Sequence, residues 1–491
     1  METVYSRVGI FDRSCLIDTG KLIEIAYYLA SEGRRFITLT CGKEISGRYI
    51  LMYHFEVDMK IVSYKVRIHE KDKIPSISLI YPSALLIENE IAKRFNLKFA
   101  FSQCGSQPVE PDVKNAGSKK RVIYSSSDEE REVLFGPIHP DIMEPLGLKL
   151  LLHDDTIIDA KPVTGYVSRK IEEMLIGKSI INANSLIQRI CGRCSISHSL
   201  AYCQGIEELY AIDIPERAKY LRIIWAELER IQHHLSLLSN IADILGAGLL
   251  SAQINRIKEK LLDIFYEVNG KRYVTGMIII GGINADIDRD DEIKIVVTLD
   301  EALSQIKLIR QKMMNNKIIR KRLCQVAEIS ADHVLKLGVV GPAARASGVV
   351  NDVRALNNSI YRCLDFTPVI VQNGDCYSRI SLLFDEIIQS VNLIEQSIDN
   401  IPGGKVHTEV NFNSKGEIIS RVEQPSGELI YYIKTGAKGF IENISVKTAS
   451  MANFNVFIEA LKGSCIDDIA VIMNRSEEHT SELQSPDHIV C

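Results

Sequence analysis

The chain has 491 residues, of which 46% are hydrophobic and 25% are charged, an ordinary composition for a globular protein with a sizeable core. This length exceeds that of a typical single domain and predicts roughly two to four domains. The formal net charge is -5, from 58 basic and 63 acidic residues spread along the chain. Because positive charge is not concentrated anywhere, we expect no nucleic acid among the partners.

Neither a membrane-spanning helix nor a secretion signal is predicted. No stretch approaches the roughly 18 apolar residues that a membrane helix requires. The N-terminus, Met1–Arg7, lacks the charged and then apolar layout of a signal peptide. We therefore expect a cytoplasmic chain whose association with a membrane depends on partner subunits.

Residues 1–104 are predicted to form a small α+β domain. Apolar and polar residues alternate in three short runs, which is typical of strands, and a helical pattern follows them. The strands are expected at Arg35–Cys41, Tyr49–Phe55 and Lys60–Val66, and the helix at Ser83–Phe95. Residues 105–132 are rich in Ser, Pro, Lys and Glu and are predicted to be a polar linker.

Residues 133–474 are predicted to form a second, helix-rich body. Apolar residues recur there at helical spacing, and Pro215 stands where proline favours the first turn of a helix. The expected helices are Pro215–Ile244, Ala252–Val268, Glu292–Met313 and Ser378–Ile398, and strand-like alternation returns at Val406–Ser445. The predicted fold class is α+β, with a small mixed domain followed by this body.

The cysteine pair Cys191 and Cys194 is the strongest local signal for chemistry. The chain has 11 cysteines, and these two form a close pair around Gly192. Two thiolates at this spacing can face one centre, and thiolates select soft or borderline metals. The spacing alone is equally compatible with a redox dithiol, half of a zinc site, or chance.

The segment Arg189–His198, Arg-Ile-Cys-Gly-Arg-Cys-Ser-Ile-Ser-His, resembles the N-terminal metal motif of nickel–iron hydrogenase large subunits. The resemblance implies that Cys191 is a terminal nickel ligand and that Cys194 bridges nickel to iron. It also implies that His198 forms a hydrogen bond near the bridging sulfur and so tunes its basicity. The alternative for His198 is a core histidine with satisfied hydrogen bonds.

The resemblance extends to a candidate proton gate. The segment Gly165–Glu172 is similar to the family's Arg-Gly-x-Glu element, although Ser168 and Lys170 flank Arg169 where His and Gly are usual. It implies that Glu172 exchanges protons near the terminal cysteine, a task for which a buried carboxylate with a raised pKa is suited. The alternative is a glutamate on the surface of a helix.

Further motifs follow in family order and cover about residues 133–474. They resemble elements shared by membrane-bound hydrogenases and the quinone-site subunit of complex I. Asp352 and Arg354 match polar positions of the pattern and are expected to line the site. The motifs are Phe135–Pro140, Ala226–Leu235, Gly341–Gly348, Gly374–Arg379 and Ile401–Gly404.

The order of the domains resembles energy-converting, membrane-bound nickel–iron hydrogenases of the formate-hydrogenlyase type. Residues 1–104 are similar to the peripheral complex I subunit that is often fused ahead of this body. The resemblance implies a nickel–iron centre whose iron carries diatomic ligands, and an iron–sulfur cluster in a partner small subunit. It further implies antiporter-like membrane subunits, a maturation protease and metal-insertion factors, and a position on the cytoplasmic side of the cell membrane.

Two departures concern the metal site directly. Glu423–Glu428 resembles the family's Glu-Ala-Pro-Arg-Gly-Glu, but Ser426 replaces the arginine that the resemblance places over the open metal position. Serine cannot supply a guanidinium. Arg193 stands between the two cysteines where an aliphatic residue is usual. It would place a cation near the site, but we expect its side chain to be exposed.

These departures leave two other functions open. The chain could reduce another acceptor, such as a quinone or a sulfur compound, on the same scaffold. It could also be a non-catalytic coupling subunit that transmits conformational change to membrane ion pumps. Because the complex I relative lacks the metal thiolates, the retained Cys191 and Cys194 favour the hydrogenase.

The last residues do not resemble the family. Its second metal motif, Asp-Pro-Cys-x-x-Cys, is expected just after Asn474, but residues 475–491 resemble the translation of a sequencing adapter. We expect them not to be native. Cys465 precedes the expected motif and Cys491 lies in the foreign segment, so neither is predicted to replace the missing ligands.

Overall fold

The structure, a computed structural model, describes residues 14–44, 47–100, 130–139, 145–163, 166, 169–272, 275–356, 359–412, 415–436 and 439–473. Within these ranges the chain forms helices and mostly antiparallel sheets, which confirms the α+β prediction. The predicted linker up to residue 129 and the segment 474–491 lie outside the described residues.

The N-terminal domain contains a four-stranded sheet. Its described elements are β1 (Ser14–Ile17), α1 (Leu22–Ser31), β2 (Arg35–Lys43), β3 (Tyr49–Val57), β4 (Lys60–Ile68), β5 (Lys73–Pro75), α2 (Ala84–Phe95) and β6 (Lys98–Ala100). The sheet order is β1-β4-β3-β2, and β2, β3 and β4 are antiparallel. The three predicted strands and the predicted helix are therefore confirmed, whereas α1 was not predicted.

The body begins with an antiparallel sheet and continues with helices. The first elements are β7 (Glu130–Phe135), β8 (Gly147–His153), β9 (Thr156–Val163), α3 (Ile171–Leu175), α4 (Ile180–Ile187) and α5 (Ser195–Leu209). Strand β7 starts at Glu130, so the last residues of the predicted linker belong to this sheet.

Long helices form the centre of the body. They are α6 (Glu216–Ile244), α7 (Gly248–Asn269), α8 (Arg289–Asn315) and α12 (Cys376–Asn400), with β10 (Ile278–Ile279), β11 (Gly282–Ile283), α9 (Lys317–Leu323), α10 (Ala331–Leu337) and α11 (Pro342–Arg345) between them. All four predicted helices are confirmed. Helix α6 packs against both α7 and α12, and its Trp225 is fully buried.

The last described elements are β12 (Gly416–Gln424), β13 (Gly427–Thr435), β14 (Ile441–Lys447), α13 (Ala449–Leu461) and α14 (Ile469–Met473). Strands β12 to β14 form an antiparallel sheet whose β12 and β13 contact α5. Strand structure in this region was predicted from Val406, but the first described strand begins at Gly416. Across the described ranges, no helix is long and apolar enough to cross a membrane.

The N-terminal sheet is packed against the sheet β12–β14 of the body. Strand β3 is buried on both faces, and its His54 ring lies 6.1 Å from that of Tyr432. Arg35 forms an ion pair with Glu428 at 2.6 Å, and the amide of Asn443 donates to the carbonyl of Cys41 at 2.9 Å. The two predicted domains therefore share a buried, charged interface.

Candidate metal centre

The loop that carries the cysteine pair joins α4 to α5. Cys194 is buried and stands at the N-cap of α5, whereas Cys191 is partly exposed. The loop thus presents one thiol from inside the protein and one at its edge. This arrangement suits a centre that is enclosed by the body and approached from one side.

Arg169 holds the backbone that leads into the cysteine loop. Its guanidinium donates to the carbonyl of Arg189 at 2.6 Å and also to the carbonyl of Ile190. Arg169 belongs to the segment that was predicted to carry the proton gate. That segment and the cysteine loop are therefore in direct contact.

Glu229 of α6 anchors the other side of the loop. Its buried carboxylate accepts from the backbone N–H groups of Ile196 and Ser197 at 2.6 and 2.9 Å and from the Ser197 hydroxyl at 2.6 Å. A carboxylate at this position satisfies donors of the first turn of α5 and complements the positive end of the helix. Sequence reasoning assigned no role to Glu229, although its motif had been noted.

His198 lies fully buried one turn into α5. Its Nδ1 is 2.6 Å from the hydroxyl of Tyr431 on β13. Burial, together with the cation of Arg169, lowers the pKa of His198 to about 3, so the imidazole is neutral near pH 7. Its Nε2 is buried without a hydrogen-bond partner among the described residues. The alternative of a core histidine therefore stays open, with Nδ1 paired and Nε2 without a partner among the described residues.

Glu172 is buried at the start of α3, which excludes the alternative of a surface glutamate. Its carboxylate forms an ion pair with Arg94 of α2 and accepts from the backbone N–H of Val446 at 2.7 Å. Burial raises the pKa of Glu172, while the Arg94 cation opposes this rise. The candidate proton gate thus lies at the interface between the domains.

Asp352 belongs to a buried group of charges that we call the central ion cluster: Glu227, Arg230, His234, Arg345, Asp352, Arg354, Glu386 and Glu423. The Asp352 carboxylate lies 2.8 Å from the Arg354 guanidinium and 3.3 Å from that of Arg345. Burial alone would raise the pKa of Asp352, but the two arginines lower it. Asp352 is therefore suited to hold a fixed charge.

Ser426 lies at the tip of the hairpin that joins β12 to β13. Its hydroxyl is 3.4 Å from Nε2 of the buried His233 on α6. Arg230, on the same helix, donates to the carbonyls of Glu423 and Gln424 at 2.7 and 3.2 Å. Helix α6 therefore positions both this hairpin and, through Glu229, the cysteine loop.

A close backbone contact explains the glycine that opens the segment Gly341–Gly348. Gly341 has φ of 69°, and a Cβ atom at that position would lie 2.3 Å from the carbonyl oxygen of Ser426. A side chain at position 341 would thus push the hairpin away.

The expectation of an exposed Arg193 is wrong. The side chain is partly buried, and its positive charge helps to lower the pKa of His233, after burial and the neighbouring His234. Arg193 therefore lies within electrostatic reach of the histidine that contacts Ser426. The hydrophobicity pattern of the loop did not predict that Arg193 would lie near His233.

The described residues supply half of the thiol ligands that the nickel–iron group implied by the sequence would need. Cys191 and Cys194 supply two thiols on a loop fixed from both sides, and the unpartnered Nε2 of His198 lies in the same helix turn. Within the described ranges, no three His, Cys, Asp or Glu side chains converge as a metal site. The family's second pair of thiolates, predicted just after Asn474, is not found in residues 475–491, which lie outside those ranges.

Comparison with protein families matches three parts of the chain. Residues 245–483 match the respiratory-chain NADH dehydrogenase 49 kDa subunit, and residues 169–238 match nickel-dependent hydrogenase. Residues 15–102 match the respiratory-chain NADH dehydrogenase 30 kDa subunit. The middle match contains the cysteine loop, and the last one coincides with the N-terminal domain.

Three curated relatives are 29–30% identical to the chain over about 70% of its length. An NADH-quinone oxidoreductase subunit of Thermosipho melanesiensis is 30% identical over 72% of this chain and 99% of its own length. The alpha subunit of the membrane-bound hydrogenase of Pyrococcus furiosus is 30% identical over 69% of this chain and 84% of its own. The carbon monoxide-induced hydrogenase of Rhodospirillum rubrum is 29% identical over 69% and 95%.

The fold and these matches define the chain as an oxidoreductase-complex subunit. The chain belongs to the family that unites the complex I 49 kDa subunit with the large subunits of nickel–iron hydrogenases.

Proposed function

We propose that the chain is the large subunit of a nickel–iron hydrogenase complex that interconverts H2 with protons and electrons. The observation that carries the proposal is the pair Cys191 and Cys194, on a loop that Arg169 fixes on one side and Glu229 on the other. A redox dithiol would not need this enclosure, whereas a metal centre benefits from ligands whose positions are fixed.

Different residues of the chain would have different roles around this centre. The nickel–iron group, when bound to Cys191 and Cys194, would supply the site at which H2 is split or formed heterolytically. His198 is neutral, because burial and Arg169 lower its pKa to about 3. It would therefore support the thiolate of Cys194 without adding charge. Glu172 would accept or deliver the proton.

The proposed complex follows from the relatives. Two of them are named as hydrogenases, one of which is membrane-bound. We propose that electrons pass to an iron–sulfur small subunit and that the reaction is coupled to ion translocation by antiporter-like subunits. The chain would lie on the cytoplasmic face of the membrane in a formate-hydrogenlyase-type enzyme. A maturation protease and metal-insertion factors would complete its assembly.

A second candidate is a subunit that reduces a quinone or sulfur acceptor, or one that only couples conformational change. It is favoured by Ser426, which leaves the tip of the hairpin without the guanidinium that the hydrogenase motif has there. The NADH-quinone oxidoreductase subunits among the relatives agree with this candidate.

The test compares Cys191→Ser and Cys194→Ser with Cys15→Ser in the purified native complex. Cys15 is an exposed thiol in the N-terminal domain and serves as the matched control. We expect the first two variants to lose hydrogen evolution from a reduced viologen, by more than about 1,000-fold, because a lost ligand removes the metal chemistry. A wild-type complex that reduces quinone but neither forms nor consumes H2 would support the second candidate.

A further inference from the structure

The carboxylate of Glu172 faces the N-terminal domain, where a second carboxylate lies near it. Arg94 of α2 pairs with Glu172, and Glu90 stands one helical turn before Arg94. Residues four apart share a helix face, so Glu90 and Arg94 lie on the same side of α2. Because the Arg94 side chain reaches Glu172, this side of α2 faces Glu172, and the negative charge of Glu172 acts on Glu90.

A small cavity adjoins these groups at the domain interface. Glu90 and Arg94 line it from α2, while Asn443, Val446 and Lys447 line it from β14. Val446, one of these lining residues, donates its backbone N–H to Glu172, so Glu172 lies directly behind this wall of the cavity. The cavity has room for a water molecule, and its polar lining supplies the partners that a buried water needs.

The charge balance at this cavity favours proton exchange. Arg94 is shared by Glu90 and Glu172, and the nearby Glu173, although exposed, adds negative charge. Burial, and then Glu172, raise the pKa of Glu90 to about 8, although Arg94 opposes the rise. Burial lowers the pKa of Lys447 on the other wall to about 7. Groups around the cavity therefore gain and lose protons near neutral pH.

An ion pair that serves only to hold the domains together would not require the second carboxylate. A buried carboxylate is costly unless it is paired with a cation, and Arg94 already pairs with Glu172. Glu90 is partly exposed, whereas Glu172 is buried. Glu172 therefore lies behind the wall formed by Arg94 and Val446, and Glu90 lines the cavity closer to solvent.

We propose that Glu90 is the proton-relay partner of Glu172, so that the N-terminal domain contributes a residue to the proton path of the enzyme. The proposal rests on the proposed hydrogenase function. In the outward direction, the O–H bond of the Glu172 carboxyl breaks and a water molecule in the cavity passes the proton on. An O–H bond then forms on the Glu90 carboxylate. No electrons move, and Arg94 remains protonated and orients both carboxylates.

The test uses Glu90→Gln in the purified native complex, with Glu24→Gln as the control. Glu24 is an exposed glutamate on α1 of the same domain. Isotope exchange between D2 gas and water requires protons to leave the site, so we expect it to fall about 100-fold in Glu90→Gln. Glu24→Gln should exchange like the wild type, and all three proteins should contain the same amount of nickel and iron.

An infrared measurement tests the relay without turnover. Between about pH 6 and about pH 10, the wild type should lose a protonated-carboxyl band that Glu90→Gln lacks, because glutamine has no such proton. Subtracting the variant removes the contributions of Glu88 and Glu423, whose pKa values are raised to about 7 by burial. This difference should also be visible in a complex that lacks metal.

The outcomes separate the two proposals. Normal exchange in Glu90→Gln, or a difference spectrum without the carboxyl band, would overturn the relay and leave the hydrogenase proposal intact. A wild-type complex without nickel would overturn the hydrogenase proposal and, with it, the relay. Metal in all variants, with exchange lost only in Glu90→Gln, would support both.

Discussion

The central ion cluster and the domain interface both contain carboxylates that are largely removed from solvent, but they balance the charges differently. In the cluster, Glu227, Asp352 and Glu386 each face guanidinium groups, and these lower the pKa values that burial alone would raise. At the interface, Glu90 and Glu172 share one arginine, and burial raises both pKa values. The number of nearby cations therefore decides whether a buried carboxylate holds its charge or exchanges a proton.

Glu423 shows that the balance of nearby charges also decides the direction of a pKa shift inside the cluster. Burial and the negative charge of Asp352 raise its pKa to about 7, although Arg345 lies 2.6 Å away. It is the fourth carboxylate of the cluster beside three arginines. Its neighbours are fixed ion pairs, so we assign this cluster chiefly to holding α6, α12 and the β12–β13 hairpin together.

The largest expected effect comes from breaking the cluster with Arg345→Met. This change leaves Glu386, Asp352 and Glu423 without one of their cations, and an uncompensated buried charge costs about 3–5 kcal/mol. The control is Arg310→Met, because the Arg310–Asp385 pair is partly exposed and its loss costs about 1 kcal/mol or less. Urea unfolding of this chain within the complex, followed by pulse proteolysis, measures both. Equal losses of unfolding free energy in the two variants would contradict the distinction between the buried cluster and the partly exposed pair.

A smaller effect is expected from Glu428→Gln at the domain interface. Glu428 pairs with Arg35 and Arg421; burial opposes ionisation, but these arginines lower the pKa of Glu428 to about 2. Losing the charge should cost about 1.5–3 kcal/mol at neutral pH.

The pH dependence of this pair has a definite sign. A pKa that is lower in the folded state contributes stability above the ordinary value of 4.5, and this stability is lost as the pH falls toward 2. The wild type should therefore lose its advantage over Glu428→Gln in acid. Asp58→Asn, which removes an exposed pair with Arg34, should show little change at any pH. A constant difference between wild type and Glu428→Gln would be inconsistent with the shifted pKa.

The stability change in Glu90→Gln has the opposite sign. The pKa of Glu90 is raised from 4.5 to about 8 in the folded protein. Its contribution to stability is therefore present below about pH 4.5 and is lost as the pH rises through about 8. Relative to Glu90→Gln, the wild type should become less stable between about pH 5 and about pH 8. Thermal unfolding of both proteins across this range provides the check, and the reverse trend would exclude a raised pKa.

The sequence predicted the long helices because apolar residues repeat over many turns in α6, α7, α8 and α12. Helix α1 escaped prediction because Leu22–Ser31 is short, mostly apolar and without a side-chain cap. The segment from Val406 was expected to be a strand. In the structure, His407 of this segment forms only an isolated β-bridge with Gly282 of β11. The alternation of apolar and polar residues there corresponds to this one bridge and not to a strand.

The chemistry of the site was predictable where it is local in sequence. Cys191, Cys194 and His198 occur within one short segment, and their spacing carries the signal. The partners of Glu172 were not predictable, because Arg94 lies 78 residues away in another domain. The role of Glu229 was not predicted for the same reason. Its hydrogen-bond donors are backbone N–H groups of α5, which only the tertiary fold brings close to α6.

The most direct test of the account is the nickel and iron content of the purified native complex, measured by mass spectrometry for wild type and Cys194→Ser. We expect nickel in the wild type, in addition to the iron of the partner's iron–sulfur clusters, and we expect Cys194→Ser to lose the nickel while most of that cluster iron remains. A wild-type complex that is intact and active toward quinone but contains no nickel would contradict it.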